Sequence, residues 1–339
     1  MNREERNQFW KMLCSLQGNN IAEEYEKLSK IIKYPQYLYR YRPVSLSSID
    51  ALQRNCMYFS SANYYDDPFD TLLQINFNSL REEGMRVLTS SDLEQRFLDF
   101  AAKNSVNPDV VSKTIEMIKS SGFDPEQVVT TVINYMRNNI QSLLKSTLWS
   151  ACFTESGDNE TMWLKYADQY KGFCMIYDFH GSSKDLCGPQ GKCKSYLVNN
   201  TGVSLYPVYY SDDGYDATDY AKQLTIVVML TQVAGNMIPE RILYLFINEF
   251  MKTYWEQEKV ALIKSKCHEY DSEWRMLLHN PSTVPVIKEW IPYGVILGLR
   301  MSATEKDIVI RSSKMAGIKH IYESYIDDNY KLAHRELII

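Results

Sequence analysis

The chain has 339 residues, of which 45% are hydrophobic and 23% are charged, and its formal net charge is −5 at pH 7. This composition is typical of a soluble globular protein with one large domain or two ordinary ones. The negative charge argues against broad binding to nucleic acid or anionic membrane, since both require basic surface, but leaves a local basic groove for nucleic acid open. The 25 tyrosines, against 12 phenylalanines, favour half-buried pockets lined by rings with a polar tip.

Seven cysteines are scattered along the chain, several of them inside apolar runs, as is typical of free buried thiols in a reducing cytosol. The close pair Cys187 and Cys193 has no second pair and no histidine nearby, so we expect no zinc site and no other metal. The charged N-terminus lacks the apolar core of a signal peptide, and the most apolar run, at 224–230, is far too short to cross a bilayer. The sequence therefore predicts a cytoplasmic protein without a membrane partner.

The first third of the chain predicts a helical start followed by short strands. Residues 1–36 carry apolar positions at helical spacing and predict a lead-in of one or two helices. The alternating run "YLYRYRP" at 37–43 ends at a proline and predicts the first strand, and a helix capped by a serine follows it. Two more short strands are predicted, one at 56–60 and one over "TLLQINFN" at 71–78.

From about 80 to 147 the sequence changes to three consecutive helical patterns, each of which begins with Ser, Asn or Asp. Two of these patterns carry a proline near the first turn, where a helix tolerates it. This block predicts an all-helical insertion between strands.

Strand patterns return after the helical block and again near the end of the chain, with a long helical stretch at 215–259 between them. The predicted strands lie at 148–155, 171–179, 202–210, in four short runs from 261 to 299, and at 319–324 after a helix at 303–314. Strands grouped at both ends predict an α+β fold with a mixed or antiparallel sheet rather than regular βαβ alternation. We therefore expect a single α+β domain over 37–339.

The segment "FSSANYYDDPFD" at 59–70 carries more acidic side chains than a turn needs. The residue before Pro68 is pushed away from helical geometry, so the segment predicts a tight turn that leaves a strand. One Asp or Asn suffices for such a turn, whereas this one has three carboxylates beside two tyrosines. The surplus makes the segment a candidate wall of a site, in which Asp67 is expected to cap the turn or to pair with Arg40.

Four stretches together resemble a bacterial family, domain of unknown function 2971. They are "LYRYRP" at 38–43, "MYFSSANYYDDPFD" at 57–70, the block with "MWLKYADQY" at 152–179, and "EYDSEWRML" at 269–277. The chain departs from the family pattern at Asp66, where Asn is usual, and at Lys165, where His is frequent.

The block order of this family is similar to that of NAD-consuming ADP-ribosyltransferase folds. The resemblance therefore implies a split sheet, NAD as substrate and a small-molecule nucleotide as partner. It leaves the acceptor unassigned, whether protein, nucleic acid, small molecule or water. A stand-alone bacterial enzyme of this kind would suit a toxin or phage-defence role.

Glu273 in "SEWRM" is the sharpest candidate for the catalysis that the resemblance implies. In a strand, Glu273 and Arg275 point to one face and Trp274 points to the other. A carboxylate aimed into a cleft binds a ribose hydroxyl and stabilises an oxocarbenium-like centre. The competing interpretation is a surface ion pair on an edge strand, which would stabilise the protein little.

The first strand offers two alternative cleft residues, and the sequence does not decide between their registers. Arg40 would clamp a pyrophosphate, whereas Tyr41 would stack on a nicotinamide or adenine ring. In "MWLKYAD", Tyr166 would supply a ring or hydroxyl to the cleft, and Trp163 would pack or contact the ligand. The predicted site comprises Glu273 and Tyr166 as catalytic residues, and Arg40, Tyr41, Asp67, Trp163 and Arg275 as cofactor-binding residues.

Two other functions stay open. A metal-dependent nuclease would hold Mg²⁺ through Asp66, Asp67, Asp70 and Glu273. Against it, Glu273 has an arginine rather than a lysine beside it, and arginine does not lose a proton to act as a base. A non-enzymatic interaction module with a tyrosine-rich surface predicts that four side chains do not converge on a common pocket, namely Arg40, Asp67, Tyr166 and Glu273.

Overall fold

The structure is a computed structural model that describes most of the chain. It covers residues 1–67, 69–71, 73–89, 124–179, 204–234, 255–279, 286–287 and 290–338, with isolated positions between 95 and 122. Within these residues, helices and strands form a mixed α+β fold, so the predicted fold class is confirmed at this level. In the part of the chain covered, no helix has both the length and the apolar character that a membrane span needs.

The helices begin where the sequence offers capping side chains. Asn2 accepts a hydrogen bond from the backbone N–H of Glu5 at the start of the first helix, and Asn20 accepts one from Glu23 at the start of the second. The helices are α1 (Arg3–Ser15), α2 (Ile21–Ile31), α3 (Leu46–Gln53), α4 (Phe77–Thr89), α5 (Pro125–Thr147), α6 (Glu160–Tyr166), α7 (Thr218–Ala234), α8 (Glu256–Ala261) and α9 (Ala303–Met315).

The strands form one large sheet and three two-stranded ladders among the described residues. They are β1 (Tyr37–Arg42), β2 (Met57–Tyr58), β3 (Ser60–Ser61), β4 (Leu73–Gln74), β5 (Leu148–Thr154), β6 (Phe173–Asp178), β7 (Ser204–Pro207), β8 (Tyr209–Ser211), β9 (Tyr215–Asp216), β10 (Ile263–Ser265), β11 (Glu273–His279), β12 (Val286–Ile287), β13 (Gly294–Leu297), β14 (His320–Ile326) and β15 (Leu332–Glu336). The large sheet has the order β15–β14–β13–β6–β1–β5–β11–β7, with β3 also paired to β5. Its neighbours are antiparallel except β13 and β14, so the sheet is mixed.

The large sheet opens between β1 and β5. These strands share a single bridge, Tyr39 opposite Thr154, whereas β1 pairs with β6 along its whole length. Beyond that bridge β3 takes the place of β1, because Ser60 lies opposite Ser150 and Ser61 lies opposite Trp149. Residues 40–42 of β1 and 151–153 of β5, which lie between the single bridge and the pairing with β3, therefore face each other across a gap.

The two faces of the sheet pack against different cores. Trp274 and Phe153 are almost completely buried on one face and belong to the main core. The other face carries a smaller cluster in which Tyr41 of β1 packs with Trp163 of α6. Because side chains alternate along a strand, Glu273 lies on the face opposite Trp274, towards α6 and the gap.

In the predicted helical block the structure describes α4, which precedes the first helical pattern, and α5, which is the third pattern. The first two patterns lie largely outside the described residues, and the close cysteine pair lies outside them as well. The strand predicted at 71–78 is wrong after Gln74. Asn76 accepts hydrogen bonds from the backbone N–H groups of Asn78 and Ser79, and this capping starts α4 instead.

Candidate functional site

A cavity of about 220 Å³ occupies the gap between β1 and β5. Its walls come from these two strands, from the segment 60–70, from α6 and from the region between β10 and β11. The volume is below the roughly 300–1,000 Å³ that is typical of sites for drug-sized ligands. The cavity therefore has room for one sugar or base with a phosphate rather than for a whole dinucleotide.

The structure brings together residues from four separate stretches of the sequence. The predicted site residues that line the cavity are Arg40, Tyr41, Asp67, Tyr166, Glu273 and Arg275. The interaction-module hypothesis required that Arg40, Asp67, Tyr166 and Glu273 stay apart, so this geometry argues against it.

The segment 59–70 forms one wall of the cavity. After β3 pairs with β5, Tyr65 turns back over the sheet, where its hydroxyl lies 2.6 Å from the Ser150 hydroxyl. The Tyr65 ring lies under the guanidinium group of Arg275, 5.0 Å from ring centroid to Cζ. The acidic residues that follow are therefore held close to β11.

Glu273 and Arg275 are buried, at 5% and 1% exposure, on a strand flanked by β5 and β7. The interpretation as a surface pair on an edge strand is therefore wrong. Arg275 Nε donates to Glu273 Oε1 at 2.7 Å, and Lys264 Nζ donates to Glu273 Oε2 at 2.7 Å. Burial alone would raise the pKa of Glu273, but these two cations outweigh it and hold the pKa well below its usual range.

The ion pairs continue on both sides of Glu273. Arg275 Nη2 lies 2.6 Å from Asp70 Oδ2, and Lys264 Nζ lies 2.8 Å from Asp271 Oδ2. The resulting row runs Asp70–Arg275–Glu273–Lys264–Asp271 and is hereafter called the charge row. With three carboxylates and two cations, the charge row carries one net negative charge.

Two arginines of β1 line the same cavity without an acidic partner among the described residues. Arg40 Nη2 donates to the carbonyl oxygen of Tyr58 at 3.0 Å, and its guanidinium Cζ lies 5.9 Å from the ring centroid of Phe153. Burial and the charge of Arg42 lower the pKa of Arg40 to about 9, and burial also lowers the pKa of Arg42. Two uncompensated cations beside a polar cavity are a candidate site for an anion.

Of the two roles predicted for Asp67, the structure has the turn cap and not the pairing with Arg40. Asp67 Oδ1 accepts a hydrogen bond from the backbone N–H of Phe69 at 2.9 Å, as a turn cap does. Asp67 Oδ2 lies 3.1 Å from His268 Nε2, which ties the turn to the region before β11. The pairing of β3 with β5 carries the turn towards β11, and this explains why its acids meet Lys264, His268 and Arg275 instead of β1.

The aromatic residues differ in what they offer a ligand. Trp163 is fully buried, donates from Nε1 to Gly157 O at 2.8 Å and does not line the cavity. The Tyr41 hydroxyl donates to Ser156 O at 2.9 Å, so its proton is not available to a ligand. Burial raises the pKa of Tyr166, whose hydroxyl therefore stays protonated at neutral pH.

Helix α1 holds the main chain of Glu273. Arg6 Nη1 donates to the carbonyl oxygens of Val208 at 2.7 Å and of Glu273 at 2.9 Å. The N–H of Glu273 donates to the Tyr210 hydroxyl at 2.7 Å. Both backbone groups of the candidate catalytic residue are thus bound by side chains from elsewhere in the fold.

The four acids of the nuclease hypothesis do not form one group. Asp70 and Glu273 are engaged by Arg275, Asp67 faces His268, and Asp66 is exposed. Across the described ranges, no three His, Cys, Asp or Glu side chains are grouped as metal ligands would be.

Sequence reasoning missed Lys264 and Asp271. Lys264 is 5% exposed within the apolar strand β10, and a lysine inside a short apolar run is rarely buried without a partner. A lysine within an apolar run is thus the feature of the sequence that could have indicated a buried ion pair at Lys264. Asp271 lies two positions before Glu273, at the end of a 3-10 turn that includes His268.

Comparison of the chain with models of known families, with curated proteins and with solved structures gives no significant match.

Proposed function

We propose that this chain binds the nicotinamide ribose and adjoining phosphate of an NAD-type nucleotide in the cavity, with the rest of the dinucleotide outside it, and breaks the bond between nicotinamide and ribose, as an ADP-ribosyltransferase or NAD glycohydrolase. The observation that carries the proposal is the presence, in one cavity, of an ionised buried carboxylate, Glu273, and two uncompensated arginines, Arg40 and Arg42. The gap between β1 and β5 also supports it, since the resemblance to domain of unknown function 2971 implies a split sheet. Such NAD consumption would suit a toxin or phage-defence role.

The charge row matches the electrostatic demand of this reaction. The bond from C1′ to the nicotinamide nitrogen breaks, nicotinamide leaves as a neutral molecule, and positive charge develops on the ribose. Water or another acceptor then adds to C1′ and releases a proton. A fixed site with one net negative charge stabilises that transition state. Each Glu273 oxygen accepts one N–H and keeps a second lone pair for a ligand hydroxyl.

The arginine side of the cavity would bind the phosphate groups. A guanidinium group presents a planar fork of N–H donors that matches phosphate oxygens. Tyr166, with its protonated hydroxyl, would donate a hydrogen bond from α6 on the opposite wall. This arrangement places an anion at one end of the ligand and the reacting ribose at the other.

The test is nicotinamide release from NAD⁺ by purified wild-type and Glu273→Gln protein, with candidate acceptors supplied. Gln keeps the shape of Glu273 and removes its charge, so we expect turnover to fall at least about 10²-fold while NAD⁺ binding is largely retained. Glu26→Gln, an exposed change on α2, is the matched control and should leave turnover unchanged. Equal rates from wild type and Glu273→Gln would overturn the role of Glu273, and no release under any condition would overturn the proposed activity.

One observation favours the second candidate, a metal-dependent nuclease. The sequence offers no lysine beside Glu273, but the fold places Lys264 within hydrogen-bond distance of both Glu273 and Asp271. DNA or RNA cleavage that requires Mg²⁺ and is lost in Lys264→Met protein that is still folded would favour this function. Metal-independent nicotinamide release without nucleic-acid cleavage would dismiss it.

A further inference from the structure

Three carboxylate oxygens beside the cavity accept no hydrogen bond from a described residue, namely Asp67 Oδ2, which lies 3.1 Å from His268 Nε2, and the Oδ1 atoms of Asp70 and Asp271. Asp70 and Asp271 both line the cavity and are 3% and 1% exposed. Their Oδ2 atoms are held by Arg275 and Lys264, whereas their Oδ1 atoms accept no hydrogen bond from any described residue. Buried polar groups are almost always paired in folded proteins, and a charged one is costly to leave unpaired. The Oδ1 atoms of Asp70 and Asp271 therefore need hydrogen-bond donors that the described part of the chain does not supply.

The backbone beside both acids is strained. Thr71, directly after Asp70, has φ +58°, and Ser272, directly after Asp271, has φ +44°. Residues with a Cβ rarely adopt this left-handed region, and a β-branched residue such as Thr71 does so least. Such strain persists where the surrounding structure fixes it, and it concentrates at functional sites. The fold thus holds both acids in place at a cost in stability.

The two free oxygens belong to opposite ends of the charge row, on either side of Glu273. Lys264 and Arg275 stand beside these acids and would repel a divalent cation. The carboxylates themselves would repel a phosphate. Neutral hydrogen-bond donors, such as hydroxyl groups, fit both conditions.

We infer that Asp70 and Asp271 bind hydroxyl groups of the ribose that lies over Glu273, and that they make the site selective for ribose over deoxyribose ligands. The inference rests on the proposed function, which places that ribose at Glu273. A site built to hydrogen-bond a hydroxyl discriminates strongly against an analogue that lacks it, because the buried polar group is then left unpaired. With a charged acceptor, we expect the loss of one hydroxyl to weaken binding about 10- to 100-fold.

The test uses ADP-ribose and two analogues that lack the 2-hydroxyl or the 3-hydroxyl of the terminal ribose. ADP-ribose is a product of the proposed hydrolysis, so calorimetry on wild-type protein measures binding without turnover. We expect at least one analogue to bind about 10- to 100-fold more weakly than ADP-ribose.

Asp70→Asn and Asp271→Asn then assign the hydroxyls. In each variant the remaining carbonyl oxygen keeps its cation, so the amide NH₂ replaces the free acceptor with a donor. The ratio of ADP-ribose affinity to analogue affinity should fall towards one in the variant whose acid binds the missing hydroxyl. Asp50→Asn, an exposed change on α3, should leave every ratio unchanged.

Equal binding of all three ligands to wild-type protein would overturn the inference and leave the proposed function intact. Failure of both ADP-ribose and NAD⁺ to bind wild-type protein would overturn both. Equal binding by wild-type protein overturns the inference even if a variant fails to fold.

Discussion

Lys264 Nζ lies 2.7 Å from Glu273 Oε2, although the two residues sit on strands that are not neighbours in a sheet. Lys264 belongs to β10, which pairs with β8 in a separate ladder, whereas Glu273 begins β11 of the large sheet. One of the two cations that keep the candidate catalytic carboxylate charged is therefore supplied from outside the large sheet. Its removal would leave two buried carboxylates without their shared partner.

Lys264→Met should destabilise the protein by about 3–5 kcal/mol, because breaking a buried ion pair leaves an uncompensated charge. The measurement is urea denaturation at pH 7. Lys266→Met is the matched control, since the Lys266 side chain is 40% exposed and lies 3.5 Å from exposed Asp212, and should cost less than about 0.5 kcal/mol. A Lys264→Met protein as stable as the control would contradict the stabilising role of this pair.

Glu273 should give the protein acid-dependent stability. Its pKa is held well below the value of about 4.3 of an unfolded chain, so its ionised form stabilises the fold fully above about pH 5. That contribution is lost as the pH falls towards the folded-state pKa. Burial raises the pKa of Asp271, which gives the opposite dependence and offsets part of the effect. The stability difference between wild type and Glu273→Gln should therefore shrink from pH 7 to pH 3 in urea titrations, and a constant difference would speak against this linkage.

Arg40→Ala and Arg42→Ala should each weaken nucleotide binding and leave the chemical step largely unaffected. We expect KM for NAD⁺ to rise about 10-fold or more, with a smaller change in kcat, because each arginine forms charge-assisted hydrogen bonds to phosphate. Arg40→Lys should restore binding only in part, since an ammonium group lacks the planar fork. Arg54→Ala, an exposed change directly after α3, should leave both constants unchanged. A fall in kcat without a change in KM would contradict phosphate binding at this end.

Ser272 tests the strained link between Asp271 and Glu273. Ser272 has φ +44°, in the left-handed region, where a β-branched side chain is the least tolerated. Ser272→Val should therefore lower the free energy of unfolding by at least about 1 kcal/mol. Ser272→Gly should change stability by less than that, since glycine adopts this region freely. Thermal unfolding of the two variants gives the comparison. If valine and glycine are tolerated equally, the backbone at this position is not fixed as the structure has it.

The local features of the fold follow from the sequence. The two-residue period of "SEWRM" places Glu273 and Arg275 opposite Trp274, and the structure has this alternation on β11. The sequence also contains the signal for the start of α4, because Asn76 is a residue type that caps helices. The apolar residues of "TLLQINFN" at 71–78 favour a strand, and the strand prediction therefore extends past the point where the helix begins.

The pairing of the charged groups could not be predicted, because it depends on which strands lie side by side. Lys264 reaches Glu273 only because β10 joins β8 and the chain returns through the 3-10 turn at Lys266–Asp271. In the same way, Asp67 meets His268 because β3 replaces β1 beside β5. A single sequence does not show which distant strands pair or in which register.

The contact of Arg6 with the main chain of Glu273 joins residues 267 positions apart. During synthesis at about 5–20 residues per second, α1 would leave the ribosome many seconds before its partner strand exists. Until β11 is synthesised, the buried guanidinium group lacks the carbonyl oxygen of Glu273 as an acceptor, and the charge row lacks Glu273 and Arg275. A nascent or truncated chain that stops before β11 thus has no assembled site.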